Sequence, residues 1–195
     1  LDRNGTGLQA TFTWQDDQFI HTIVAVDGDS TTLLLHGDTS SPKQGLAPPP
    51  PLQEAVSHHL PDGRSTVLAT GSGAGRYWSA TVTPLTDVRF AMLQFEFACR
   101  RRDDSVPALA YRVADDVAAS LGDDGYLRLR IVDKREFVLW AAPMPNSLAT
   151  EFVPTCRLEL LRHGLSIEAT CSPHVTTKST VAWKYEISAH SRREG

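Results

Sequence analysis

The stretch Tyr126-Leu127-Arg128-Leu129-Arg130-Ile131-Val132-Asp133 decides the fold class. Leu127, Leu129 and Ile131 fall on one side of an extended chain, and Tyr126, Arg128 and Arg130 on the other, because successive side chains of a strand point to opposite faces. The apolar set must be the buried one. Gly122-Asp123-Asp124-Gly125 just before it is turn chemistry, with Gly and Asp suited to tight backbone reversals.

Working outward, the same alternation recurs and helical periodicity is almost absent. Twelve strands are expected, at roughly 8–15, 18–27, 31–36, 64–70, 76–83, 89–100, 108–114, 126–133, 136–142, 155–162, 165–172 and 180–189. One helical turn is expected at Asp115–Ser120. Breaks fall at Asp27-Gly28-Asp29, Pro61-Asp62-Gly63 and Gly71-Ser72-Gly73. Twelve strands with hairpin-length connections point to antiparallel β-sandwich architecture, as one large sandwich or two small ones.

Three collinear likenesses suggest an internal duplication of a six-strand unit. Ser79–Pro84 resembles Glu168–Pro173, Phe95–Ala98 resembles Tyr185–Ser188, and Ile20–Asp27 resembles Tyr126–Asp133. The expected division is residues 1–104 and 105–195, the halves superposing strand for strand. The first half carries a surplus in 37–63, a Pro-rich loop with Pro48–Pro51 and His58-His59. Four prolines favour an extended rod without internal hydrogen bonds. The segment reads as a surface excursion, with recognition by a partner as the alternative. Removing roughly residues 40–58 is therefore expected to cost little stability.

The chain has 195 residues, 41% hydrophobic and 22% charged, enough for a core without a disulfide or metal staple. Net charge −4 offers no positive field for phosphates, so no nucleic-acid partner is expected. No apolar run approaches the roughly 18 residues of a membrane helix, so a soluble protein with no membrane partner is expected. Arg outnumbers Lys by 15 to 4, a bias that suits planar recognition of carboxylates and that coding composition explains equally well. The chain begins at Leu1, as a segment of a longer protein would. Asn4-Gly5-Thr6 matches the glycosylation tripeptide.

Strand parity sorts the candidate residues. Trp14, Trp78 and Trp183 fall on inward faces, and likeness to Leu127 and its neighbours turns His21 inward. Trp140 shares the outward face of its strand with Glu136 and Val138. Tyr126, Arg128, Arg130 and Trp140 therefore form the expected ligand-binding set, since an exposed Trp beside charged groups can stack a sugar ring or a partner's side chain. The Asp-rich turns followed by Tyr126–Arg130 resemble lectin-like sandwiches in pattern. Asp16, Asp17 and His21 are candidates for acid–base work, although Asp16-Asp17 also suits a turn. No nucleophile elbow, metal motif or phosphate loop is present in the sequence, and no cofactor or metal is expected. Gly71–Gly75 reads as a flexible hairpin connection.

The last candidate is the hairpin Cys156–Cys171. A two-residue turn at His163-Gly164 would pair Arg162 with Leu165, Glu159 with Glu168, and Cys156 with Cys171. The cysteines would then be placed for a disulfide. The opposed Glu159 and Glu168 would need a cation, or would act as an acid pair, with Arg157 or Arg130 as the simplest compensation. The leading function is a non-catalytic module binding a glycan or protein partner. The alternatives are a polysaccharide hydrolase or lyase using these acids, and an architectural domain of a larger protein.

Overall fold

The computed structural model describes residues 6–37, 48–61, 63–85, 90–102, 105–131, 135–143, 156–162, 164–170 and 180–190. They form fourteen strands and no helix: β1 (Thr6–Gln15), β2 (Gln18–Asp27), β3 (Ser30–Gly37), β4 (Glu54–His59), β5 (Ser65–Gly73), β6 (Arg76–Leu85), β7 (Met92–Arg100), β8 (Ala108–Val113), β9 (Val117–Leu121), β10 (Leu127–Ile131), β11 (Glu136–Ala142), β12 (Cys156–Leu161), β13 (Gly164–Ala169) and β14 (Thr180–His190). Among the described residues no helix is long and apolar enough to cross a membrane.

The strands make two antiparallel sheets. The smaller runs β1-β2-β3-β8-β13-β12 and the larger β4-β5-β6-β7-β14-β11-β10-β9. Their inner faces meet in one core, built from Ile23, Leu35, Leu109, Leu165 and Ile167 on one side and Phe95, Phe97, Leu129, Trp183 and Ile187 on the other. This core follows from alternation: in β10 Leu127, Leu129 and Ile131 are buried, and in β14 Val181, Trp183, Tyr185 and Ile187 are.

Two strands escaped the sequence reading. β4 lies inside the segment taken for a loop, and β9 replaces the expected helical turn, with only Asp115-Asp116 turning. Both are edge strands. In β4 every residue is at least partly exposed, so it lacks the alternation that marks a half-buried strand.

The two halves differ in the order in which they lay down their strands. Residues 1–104 lay down β1-β2-β3 and then β4-β5-β6-β7 in chain order. The second half places β8, β13 and β12 in the smaller sheet and β14, β11, β10 and β9 in the larger. Two of the three likenesses join strands of different sheets: β6 with β13, and β2 with β10. The third joins β7 and β14, which are paired neighbours, Phe95 opposite Tyr185 and Phe97 opposite Trp183. Shared apolar alternation accounts for these matches, and the strand order does not support duplication.

The proline segment is structural. Pro49, Pro50 and Leu52 are buried, and Leu52 belongs to the core. Leu52 O accepts from Phe19 N at 2.6 Å, beside β2 of the smaller sheet. Gln53 N donates to Thr70 O at 2.7 Å, in β5 of the larger. Pro48–Gln53 is thus a strap tying one sheet to the other. Gly71 and Gly73 make room for it: a Cβ on Gly71 would lie 1.8 Å from Pro51 O, and one on Gly73 would lie 2.8 Å from Pro51 Cγ. These glycines lie within β5, and the hairpin turn is Ala74-Gly75, both at positive φ.

Candidate functional site

His21 is buried, 3% exposed, on β2. Its Nε2 hydrogen-bonds the Tyr111 hydroxyl on β8, which hydrogen-bonds the Tyr185 hydroxyl on β14. Phe12 stacks on the imidazole at 5.6 Å, and Phe97 approaches it at 5.9 Å. The chain of three polar tips spans the two sheets within an aromatic core. Burial, with His36 as a lesser influence, lowers the His21 pKa to about 4, and burial raises both tyrosines well above their ordinary value. At neutral pH all three are uncharged, which suits a packed core.

Asp16 and Asp17 do not join His21. They are the two-residue turn between β1 and β2, with φ of 50° and 61°, and Gln15 pairs with Gln18 across it. Positive φ at both turn positions fits the right-handed twist of a hairpin, and Asp tolerates it. His21 stands four strand positions from Asp17, about 13 Å at the usual rise. Trp14, expected inward, sits near this tip, 53% exposed, with its ring edge-on to Phe19 at 5.0 Å. Its parity is inward, but the hairpin carries it past the core.

The β12–β13 hairpin differs in register from the sequence expectation. Leu161 pairs with Gly164, Glu159 with Ser166, Arg157 with Glu168 and Cys156 with Ala169. Gly164 opens β13 instead of supplying the turn, so the pairing moves by two positions and each residue keeps its face. Glu159 and Glu168 are therefore not opposed, and Arg157 is the residue across from Glu168. Cys156 is a free, buried thiol whose Sγ donates to Lys184 O at 3.4 Å. Burial pushes its pKa up to about 12. The expected partner Cys171 and the turn residue His163 lie outside the described residues.

Of the residues expected to bind a ligand, Tyr126 and Trp140 come together, toward the β9 edge of the larger sheet. Tyr126 and Trp140 have ring centroids 6.0 Å apart at 46°. They line a cleft of about 460 Å³ where β9, β10 and β11 meet β12, with Leu121, Asp124, Arg157 and Leu158. The turn before β10 shapes one wall. Gly125 has φ of 76°, Gly122 N donates to Tyr126 O at 3.0 Å, and Tyr126 N donates to Asp124 Oδ1 at 3.1 Å.

Arg128 clamps Asp124 through two contacts, Nη1 to Oδ1 at 3.1 Å and Nη2 to Oδ2 at 2.5 Å. This fork-to-carboxylate geometry is directional. The guanidinium, with the Tyr126 amide, holds the Asp124 carboxyl at about 2. Gly122 lies beneath the clamp: a Cβ there would fall 2.5 Å from both Arg128 Nη1 and Asp124 Oδ1. Arg130 stays on the outer face and pairs with Glu136 at 2.8 Å, away from the cleft wall.

Arg157 and Cys156 were not foreseen as lining residues. Their contribution depends on β12, in the smaller sheet, reaching the ends of β9 and β11, a long-range packing that no local pattern encodes. Among the described residues, no group of three or more His, Cys, Asp or Glu side chains is placed to hold a metal. No family model, curated protein or solved structure matches the chain.

Proposed function

We propose that the chain is a non-catalytic binding module, a two-sheet sandwich whose Tyr126–Trp140 cleft takes a glycan. The observation that carries this reading is the pair of aromatic rings 6.0 Å apart in an open cleft that Asp124 and Arg157 also line. A sugar ring presents apolar C–H faces, which suit aromatic surfaces, and equatorial hydroxyls, which suit a carboxylate fixed in place and a guanidinium. The clamp between Arg128 and Asp124 leaves the carboxylate ionised and rigid, an acceptor rather than a general acid.

The test is a glycan array probed with the native chain and with Trp140→Ala. Retention of a set of glycans by the native chain, lost in the variant, supports the reading. The same pattern from both, or no retained glycan, overturns it.

A further inference from the structure

The larger sheet ends at β4, whose one neighbour in the sheet is β5. Ala55 packs against the core, so Glu54, Val56 and His58 take the outer face by alternation. Val56, 55% exposed, lies opposite Leu68, 42% exposed, an apolar pair at the rim of the sheet. Thr70 Oγ1 donates to Glu54 Oε2 at 3.4 Å, which places the carboxylate on that same face. Exposed edges are ordinarily guarded by lysine, by proline or by a covering segment. Glu54-Ala55-Val56-Ser57-His58-His59 contains neither residue, and all six positions are at least partly exposed.

The register fixes which main-chain groups of β4 point away from β5. Leu60 N donates to Arg64 O at 2.7 Å, and these two residues continue the register that pairs His59 with Ser65 and Glu54 with Thr70. Hydrogen-bonded positions alternate along an antiparallel pair. Glu54, Val56 and His58 therefore turn their main-chain groups toward β5, while Ala55, Ser57 and His59 turn theirs outward, past the edge of the sheet.

We propose that the β4 edge is a self-association surface, on which a second copy of this chain docks its own β4 antiparallel about a two-fold axis. An axis perpendicular to the sheet keeps outer face with outer face, so opposed positions share parity. Centred on Val56, it sets Ala55 opposite Ser57 of the second copy, and the two exchange main-chain hydrogen bonds through their outward groups. On the outer face Val56 meets Val56 of the second copy, and Glu54 meets His58 of the second copy. A carboxylate and an imidazole are complementary, and the symmetry makes that pair twice. An axis centred on Ser57 would lose both matches, setting Val56 against His58 and Glu54 against Leu60. The contact uses up the β4 edge of each copy, so association closes at two chains.

The test is sedimentation of the full chain from micromolar to millimolar concentration, with a reversible monomer–dimer equilibrium as the expected result. Ser57→Pro removes an outward N–H and leaves the β4–β5 ladder intact, and it should keep the chain monomeric. Val56→Lys, which opposes two like charges at the axis, should weaken the dimer at least about tenfold. Glu54→Lys should weaken it as well, and adding His58→Glu should restore it. Val56→Cys should form an intermolecular disulfide under mild oxidation that the native chain does not form, because opposed residues at such a position have Cα atoms about 4.5 Å apart. Trp140→Ala should leave association unchanged, separating this surface from the glycan cleft. Urea unfolding of each variant verifies its fold. Should Ser57→Pro fail to fold, Val56→Lys and the Glu54–His58 exchange, all at exposed side chains, carry the test. The proposal is overturned if the native chain stays monomeric at millimolar concentration, which would leave the edge to a strand of another protein, or if the folded β4 variants associate as the native chain does.

Discussion

Pro51 lies across Gly71, with its carbonyl oxygen 1.8 Å from the point a Cβ would occupy. The neighbouring atoms are main chain of the strap, which is itself hydrogen-bonded to both sheets, so they cannot step aside cheaply. Gly71→Ala should therefore destabilise the protein by about 3 kcal/mol, the upper part of the overpacking range. Urea unfolding measures it. A loss below about 1 kcal/mol would mean the strap moves freely.

Deletion of residues 40–58 should abolish cooperative unfolding, contrary to the loop-closure argument. It removes Leu52, fully buried, together with most of β4. A thermal transition preserved in the deletion would show that the strap contributes nothing.

His21 predicts a pH effect of definite sign. Its pKa is lowered from 6.5 to about 4 in the folded chain. Between those values the unfolded chain binds more protons, so this contribution is fully present above about pH 6.5 and is lost as pH falls toward 4. The shift corresponds to about 3 kcal/mol. Stability measured from pH 4 to 7 should rise more steeply in the native chain than in His21→Leu. Parallel curves would contradict the buried neutral imidazole.

The shifted register of β12–β13 makes its own forecast. A double-mutant cycle on Arg157 and Glu168 should show attraction of about 0.5 kcal/mol, typical of an opposed pair. The same cycle on Glu159 and Glu168 should show almost none. Repulsion between the glutamates would restore the register in which they face each other.

Alternation made the interior legible. The buried faces of β10 and β14, inward Trp78 and Trp183, and outward Trp140 all follow from parity, because a strand beside a core must segregate its side chains. The conjunction of Tyr126 with Trp140 was legible for the same reason, as parity sets both outward, Tyr126 just before β10 and Trp140 on the neighbouring β11. Trp14 misleads because parity says nothing of where a core ends. β4 was hidden because an exposed edge strand has no face to bury. The strand order was hidden because β8 pairing with β13, and β7 with β14, is chosen by packing across distant sequence. Likeness between β2 and β10 reflects the common demand for alternating Val, Ile and Leu, not a common place in the fold.

Gly122 provides a conformational control on the glycan cleft. Gly122→Ala would push Arg128 and Asp124 apart, disturbing the clamp at an exposed turn. Global stability should change by less than about 1 kcal/mol, since exposed ion pairs contribute little, while retention on the glycan array falls. Loss of stability without loss of retention would place the clamp outside the binding surface.

The most direct test of the binding surface is nitrogen-15 NMR of the four tryptophan indole N–H groups during titration with neutral and uronate-containing oligosaccharides. Trp140 lines the cleft, Trp14 lies on the β1–β2 hairpin, and Trp78 and Trp183 lie in the core. Glycan binding in the Tyr126–Trp140 cleft should shift the Trp140 signal saturably while the Trp14 signal stays in place. A shift confined to Trp14, or no shift from any indole, would contradict it.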